Sequence, residues 1–199
     1  MQRSDAEQDD QSIADAAKNF NRLEHVLLQN RTLTLFGEIN QDVARRMAEK
    51  LLALAFESDD PITLYIGSPG GHVESGDTIF DLIRYIKPEV RIIGTGWVGS
   101  IATHIYLAAD KDNRFALPNT RFLIHQPSGG FGGDAADIEI HAREILKTRE
   151  RINGIIAERT GQSIDRVGED TQRDYWMSAE ESVEYGLVGK IISDISEVG

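Results

Sequence analysis

The chain has 199 residues, 40% of them hydrophobic and 7% aromatic, so it can bury one sizeable core and we expect a single domain. Its formal net charge of −12 argues against nucleic acid and anionic membrane surfaces as partners, since both attract basic patches. The absence of cysteine excludes disulfides, thiolate metal sites and cysteine nucleophiles. Neither a signal-peptide pattern nor a run of about 20 apolar residues is present, so we expect a cytoplasmic protein.

The amino-terminal third is predicted to begin with an irregular segment and then to alternate strand and helix. Residues 1–20 are polar and acidic, which predicts a mobile arm or a weak helix ahead of one globular domain at 21–199. Thr32 to Phe36 alternates Thr and Leu with the two-residue period of a half-buried strand. A helix follows, capped by Asn40 and carrying apolar residues at helical spacing up to Phe56.

The next part of the chain repeats this order of elements. The run ITLYI predicts a buried strand that stops at the glycine-rich turn Gly67 to Gly71. A helix is then expected from about Ser75 to Ile86, where Lys87-Pro88 stops it, and VRIIG follows as a strand. Repeated strand, turn and helix predict parallel crossovers, so the expected class is α/β, with helices covering a sheet.

The carboxyl-terminal half is predicted to carry the longest helix. Ser100 opens a short apolar helix, RFLIH is a strand ending at His125, and the glycines of SGGFGG give an extended excursion. A long helix is expected from about Asp134 to Glu158. Short helices at 163–171 and 178–185 and a final strand, KIISDI, complete the prediction, and the second short helix starts with a capping box at Ser178.

Three chemically useful side chains stand at predicted ends of regular elements: Ser100, His125 and Asp174. A serine hydroxyl is a poor nucleophile at neutral pH unless a base accepts its proton and a third group fixes the tautomer of that base. Taken singly, each has a structural reading, as a helix cap, a strand-end histidine and a loop carboxylate. His104 is a rival base four residues after Ser100, although its apolar neighbours favour a neutral, buried histidine.

Four segments carry a family resemblance. They are IGSPGGHVESGDTIFDLIRYIKP, the serine segment GWVGSIA, LPNTRFLIHQPSGGFGGDAADIEIHAREIL, and DTQRDYWMSAEESVEYGLV. From about His25 to Ile195 the chain resembles the proteolytic subunit of the Clp protease, a self-compartmentalised serine peptidase. The resemblance implies a ClpP and crotonase-like α/β fold of repeated β-β-α units in a spiral, with a protruding handle made of the long helix and a glycine-rich strand.

The resemblance also implies roles for individual residues. Ser100 is implied as nucleophile, His125 as general base and then acid, and Asp174 as the group that orients the imidazole. The oxyanion hole is implied to use the backbone N–H groups of Gly71 and Ile101. Both residue types suit that role, because glycine lets a carbonyl approach closely and the amide of Ile101 lies at a helix amino terminus.

Substrate and partners are likewise implied by the resemblance. An extended substrate is expected to pair as a strand between the segment at His72 and Val73 and the segment at Ser128 and Gly129. Heptameric rings stacked as a tetradecamer would enclose the active sites, and a ring-shaped AAA+ ATPase unfoldase would feed them. No cofactor is expected in this chain, which has no nucleotide motif, so ATP would be used only by the partner.

Departures from the family pattern keep other functions open. Gln172 stands where the family usually has an acidic residue, the arm is acidic, and Trp97, Trp176 and His104 are unusual near the serine. These features motivate a second hypothesis, a weakly active structural or regulatory subunit in a mixed ring with a paralogue. A crotonase-type acyl-CoA enzyme is a third, although it leaves the three polar side chains without a joint purpose. No metal is expected, because no zinc motif surrounds the His-Glu pairs at 72 and 74 or at 141 and 144.

Overall fold

The computed structural model describes residues 22–130 and 132–198, so the predicted acidic arm lies outside the described residues. The helices are α1 (residues 22–29), α2 (Gln41–Glu57), α3 (Val73–Tyr85), α4 (Ile101–Tyr106), α5 (Ala135–Thr160), α6 (Ile164–Asp170) and α7 (Ala179–Tyr185). The strands are β1 (Thr32–Phe36), β2 (Ile62–Ser68), β3 (Val90–Gly99), β4 (Arg114–Ala116), β5 (Arg121–Ile124), β6 (Tyr175–Met177) and β7 (Lys190–Ile191). Two 3₁₀ turns, Lys111–Asn113 and Ile195–Val198, complete the described elements.

The sheet is mainly parallel, as the α/β prediction requires. Its main path runs β1-β2-β3-β4-β7, and every pair along it is parallel. The first half of β3 pairs with β4, whereas its last residues, Trp97 to Gly99, pair with β5. β6 adds to β5 in the antiparallel sense. The sheet therefore divides along β3, which pairs with β4 in its first half and with β5 at its end.

One hydrophobic cluster fixes the helices on this sheet. Alternate residues of β2, namely Ile62, Leu64 and Ile66, are fully buried, and α2 to α7 each contribute side chains to the same cluster. Local signals agree with this packing. Asn40 accepts a hydrogen bond from the Val43 amide at 3.0 Å, and the capping box predicted at Ser178 is present. No helix in the described part of the chain is long and apolar enough to cross a bilayer.

Several predicted boundaries were wrong. β3 continues from Gly94 to Gly99, because β5 pairs with its far end. The predicted final strand KIISDI ends as a strand at Ile191, since the amides of Ser193 and Asp194 turn back to donate to the Glu197 carboxylate. Helix α3 begins at Val73, two residues before the predicted Ser75.

The glycine-rich segment also differs from its prediction, and two strands were missed. Its described residues form no strand, since no other part of the described chain pairs with them. Strands β4 and β6 have three residues each, too few to show a period, and they exist through pairing with distant strands.

Candidate active site

Sheet register brings the three predicted side chains together. Gly99, the last residue of β3, is paired with Leu123 of β5, and Ile124 of β5 is paired with Tyr175 of β6. Ser100 follows β3, His125 follows β5 and Asp174 precedes β6. All three therefore leave the sheet at the same edge. The antiparallel addition of β6 is what carries the carboxylate to that edge.

The side chains form a continuous hydrogen-bonded chain. Ser100 Oγ lies 2.8 Å from His125 Nε2, and His125 Nδ1 lies 3.0 Å from Asp174 Oδ1. The imidazole is partly buried, whereas the Asp174 side chain is 64% exposed. Both distances allow direct proton transfer or donation, so the arrangement can activate the hydroxyl. His104 does not take this place, because its Nε2 faces Asp77 at 3.2 Å.

Ser100 is held in a strained turn between strand and helix. Its φ of 56° and ψ of −126° are conformations that a residue with a side chain rarely adopts. The Ser100 amide donates to the Leu123 carbonyl at 2.9 Å, which ties the turn to β5. A Cβ atom at Gly70 would lie only 2.7 Å from Ser100 Cβ, so this approach needs glycine at position 70. The turn projects the hydroxyl out of the sheet edge.

The loop carrying Asp174 is fixed by Gln126, whose role sequence reasoning missed. The backbone N–H of Gln126 donates to the Thr171 carbonyl at 2.7 Å, and the side-chain Nε2 of Gln126 donates to the Gln172 carbonyl at 2.9 Å. Because Gln126 follows His125 directly, these bonds set the carboxylate loop against the imidazole. No sequence pattern marks the contact, which joins residues 46 positions apart.

Two backbone N–H groups beside Ser100 have no hydrogen-bond acceptor within the described chain. They belong to Gly71 and Ile101, the predicted oxyanion-hole residues. A Cβ at Gly70 would lie 3.1 Å from the Ile101 nitrogen, which shows how closely the glycine turn packs on the start of α4. Free amides next to a nucleophile can donate to the oxygen of an attacked carbonyl.

The predicted substrate-contact residues line one groove. His72, Val73, Ser128 and Gly129 border a groove of about 440 Å³ that also includes Gly71. His72 Nδ1 lies 2.9 Å from Ser75 Oγ and its Nε2 lies 3.2 Å from Glu74, so this ring is held against the first turn of α3. No group of three or more metal-binding side chains occurs among the described residues. Val73 and Pro127 line both this groove and the cavity that Ser100 borders, so the groove adjoins that cavity.

A separate small cavity of about 20 Å³ opens beside Ser100 and His125. The His104 ring lines it and is only 2% exposed. Behind the ring, Asp77 of α3 forms a bidentate ion pair with Arg151 of α5. Burial by itself would raise the pKa of Asp77, but the nearby His104 and Arg151 outweigh burial and lower that pKa to about 2.

The other unusual residues near the serine lie elsewhere. Trp97 and Trp176 pack on each other with ring centroids 5.5 Å apart, and the Arg121 guanidinium lies 4.8 Å from the Trp176 ring. Neither tryptophan is among the residues that line the cavity or the groove, whereas His104 lines the cavity.

Comparisons with known proteins show which family the chain and its fold resemble. The family model for Clp protease matches residues 15–194. The chain is 54% identical over 172 residues to the ATP-dependent Clp protease proteolytic subunit 3 of Rhizobium meliloti, covering 86% of this chain and 88% of the relative. It is 51% identical over 177 residues to proteolytic subunit 2 of Pseudomonas aeruginosa, covering 89% and 88%. The solved structure of ClpP1 from Listeria monocytogenes superposes with a TM-score of 0.81 at 49% identity, covering 89% of this chain and 99% of that one.

Proposed function

The chain belongs to the Clp protease family and is a serine protease subunit of a Clp protease, and on that premise we propose that Ser100, His125 and Asp174 perform its chemistry. The supporting observation is the unbroken path of contacts at 2.8 and 3.0 Å from the hydroxyl to the carboxylate. The reaction is peptide-bond hydrolysis. Its fold and family place it among the hydrolases.

The proposed reaction begins when Ser100 Oγ attacks a peptide carbonyl carbon and His125 Nε2 accepts the hydroxyl proton. The Asp174 carboxylate accepts a hydrogen bond from Nδ1–H and so holds the imidazole in the required tautomer. The carbonyl oxygen becomes negatively charged and accepts hydrogen bonds from the N–H groups of Gly71 and Ile101. His125 then gives its proton to the departing amine, and the acyl group stays on Ser100.

Deacylation repeats the same steps with water. His125 accepts a proton from the attacking water, the acyl–oxygen bond to Ser100 breaks, and the proton returns to the serine oxygen. The residues supply every acid, base and donor that the two steps need, so we propose that the subunit uses no cofactor. Energy from ATP would enter only through an unfoldase partner.

We further propose that the subunit works as heptameric rings stacked in a tetradecamer. The first half of α5 supports a contact between rings, because it projects from the core and exposes apolar side chains: Ile138, Ile140 and Leu146 are 47%, 54% and 54% exposed. The printed names of the relatives describe ATP-dependent proteases, which supports a AAA+ ATPase partner here. A cytoplasmic location stays a prediction from the sequence.

A second candidate, membership in a mixed ring with a paralogue, is favoured by one observation. Relatives carry the names subunit 2 and subunit 3, so a chain of this kind can share a cell with other proteolytic subunits. Assays of the purified protein alone and mixed with a paralogue separate the two arrangements. Turnover by the protein alone supports a self-sufficient ring, and turnover only in the mixture supports the second candidate.

The decisive assay for the proposed chemistry compares Ser100→Ala with a matched control, Ser196→Ala. Ser196 lies in the carboxyl-terminal 3₁₀ turn and bonds only locally, to Asp194. Loss of a triad nucleophile should lower the rate of fluorogenic peptide hydrolysis at least about 10⁴-fold. The control should hydrolyse as the parent does. Equal turnover by Ser100→Ala and the parent would remove Ser100 from the mechanism.

A further inference from the structure

The two proposed oxyanion donors, the backbone N–H groups of Gly71 and Ile101, stand at the starts of two helices that pack on each other. Gly71 lies two residues before α3, which begins at Val73, and Ile101 is the first residue of α4. The distance between the two donors therefore depends on how closely α3 approaches α4. Both donors must reach the same oxygen to stabilise it, so this helix contact bears on the rate.

Gly76, in the first turn of α3, is buried against the side chain of Ile101. A Cβ atom built on Gly76 would lie 2.1 Å from Ile101 Cγ1 and 3.1 Å from Ile101 Cδ1, so the helices can lie this close only without a side chain at position 76. An isoleucine in a helix has one strongly preferred χ1 rotamer, so rotation of its side chain does not clear the space. Glycine is a poorer helix former than alanine, and its presence inside α3 therefore fits a packing requirement.

A short series of contacts joins Gly76 to the Gly71 amide. The Gly76 amide donates to the His72 carbonyl at 3.1 Å and so closes the first turn of α3 next to Gly71. Gly70 packs on the beginning of α4, since a Cβ atom there would lie 3.1 Å from the Ile101 nitrogen. Ile101 is thus held at its backbone nitrogen by Gly70 and at its side chain by Gly76. Gly71 lies between these two glycines in the chain, so its amide is fixed relative to the Ile101 amide.

We propose that Gly76 is a positioning residue that sets the spacing of the two oxyanion donors by letting the first turn of α3 pack on Ile101. It touches neither the substrate nor the reacting atoms and acts through the Gly71 and Ile101 amides. The inference rests on the proposed use of these amides as the oxyanion hole. A methyl group at position 76 pushes the two helices apart by roughly 1 Å, which separates the donors but leaves every group of the proposed chemistry in place.

The test compares Gly76→Ala with a matched control, Gly154→Ala, in the assembled protein. Gly154 also lies inside a helix, α5, but a Cβ atom there would have nothing within 4 Å. Misplacement of a catalytic group by about 1 Å can lower the rate about 10²-fold. We therefore expect kcat for a fluorogenic peptide to fall about 10²-fold in Gly76→Ala, with KM within about threefold of the parent, because the donors act in the transition state. The control should hydrolyse as the parent does.

A peptide aldehyde reports on the oxyanion hole separately from substrate binding. The Ser100 oxygen adds to the aldehyde carbon, the hydroxyl proton passes to His125, and the negatively charged oxygen of the adduct enters the hole. The inhibition constant should rise about 10²-fold in Gly76→Ala, in parallel with the fall in kcat. A residue that only supported the fold would change assembly or KM instead, so assembly is checked by size-exclusion chromatography.

Ile101→Ala supplies a compensating change. It removes Cγ1 and Cδ1 and leaves Ile101 Cβ, 3.3 Å away, as the nearest atom to a methyl group at position 76. In the Ile101→Ala background, adding Gly76→Ala should change kcat by less than about threefold, because the methyl group enters the space that the isoleucine has vacated. This comparison also carries the test if Gly76→Ala alone does not assemble.

The outcomes distinguish this inference from the proposed function. A fall in kcat in Gly76→Ala that is absent in the Ile101→Ala background supports the inference. It is overturned if assembled Gly76→Ala keeps kcat within about threefold of the parent, or if Gly76→Ala lowers kcat about tenfold or more in the Ile101→Ala background. In both cases hydrolysis that still depends on Ser100 leaves the proposed function intact. Absence of any Ser100-dependent hydrolysis by the parent overturns both.

Discussion

Gly71→Ala tests whether the position of a single backbone amide sets the rate. Gly71 has a φ of 150°, and a Cβ atom built on it would lie 2.2 Å from the Ile39 carbonyl oxygen and 2.8 Å from the Ile39 nitrogen. Both are backbone atoms, so a change of side-chain rotamer cannot relieve the clash. The Gly71 segment would have to move by roughly 1 Å to restore an ordinary contact distance.

That movement acts on the oxyanion hole. Ile39 holds the glycine turn through two hydrogen bonds, from its own amide to the Gly70 carbonyl at 2.9 Å and from the His72 amide to its carbonyl at 2.8 Å. A displacement of about 1 Å at a catalytic group can reduce the rate about 10²-fold, and loss of one oxyanion donor costs about 10² to 10³ in kcat. We therefore expect kcat to fall at least about 10²-fold in Gly71→Ala.

The assay is fluorogenic peptide hydrolysis, with Gly161→Ala as the matched control. Gly161 also has a positive φ, 79°, but an added Cβ would have nothing within 4 Å. Both substitutions carry the backbone cost of a left-handed conformation, about 1 to 2 kcal/mol, and only Gly71→Ala also collides. If Gly71→Ala keeps more than a tenth of the parent kcat, or Gly161→Ala loses as much, the reasoning about the Gly71 amide is refuted.

Three further perturbations test other parts of the site. Asp174→Asn should lower kcat by about 10²-fold, less than for a buried triad carboxylate because Asp174 is 64% exposed; an unchanged kcat in a steady-state assay would contradict its orienting role. Gln126→Ala removes the 2.9 Å bond to the Gln172 carbonyl and should lower kcat about fivefold at constant KM, whereas a change in KM alone would point to substrate binding. The lowered pKa of Asp77, about 2, means that its ion pair stabilises the fold above about pH 4 and that this contribution is lost as the pH falls through about 2. Urea unfolding should therefore show Arg151→Met less stable than the parent above about pH 4, with the difference shrinking as the pH falls towards about 2 and vanishing only below it; a difference that is constant with pH would contradict this.

Much of the fold could be predicted from local patterns. The alternation in Thr32 to Phe36 and the apolar run ITLYI mark strands, and the Asn40 cap and the Ser178 capping box mark helix starts that the structure contains. These features depend on neighbours within a few residues. The family resemblance was confirmed as well, together with the α/β class.

The parts that could not be predicted depend on distant contacts. β6 has three residues and exists because β5 offers a partner, and β3 extends to Gly99 for the same reason. The ion pair between Asp77 and Arg151 joins residues 74 positions apart. The catalytic role of Ser100 stays a prediction. Its strained backbone conformation, with φ at 56°, could not be predicted from a local pattern, because packing against Gly70 and a hydrogen bond to β5 maintain it.

Labelling with a serine-reactive fluorophosphonate, followed by peptide mapping, tests the central claim most directly. We predict one adduct, on Ser100, with a labelling rate at least about 10²-fold lower in His125→Ala and largely retained in His104→Phe. An adduct on another serine, or equal labelling rates in the parent and His125→Ala, would contradict the claim that His125 activates Ser100.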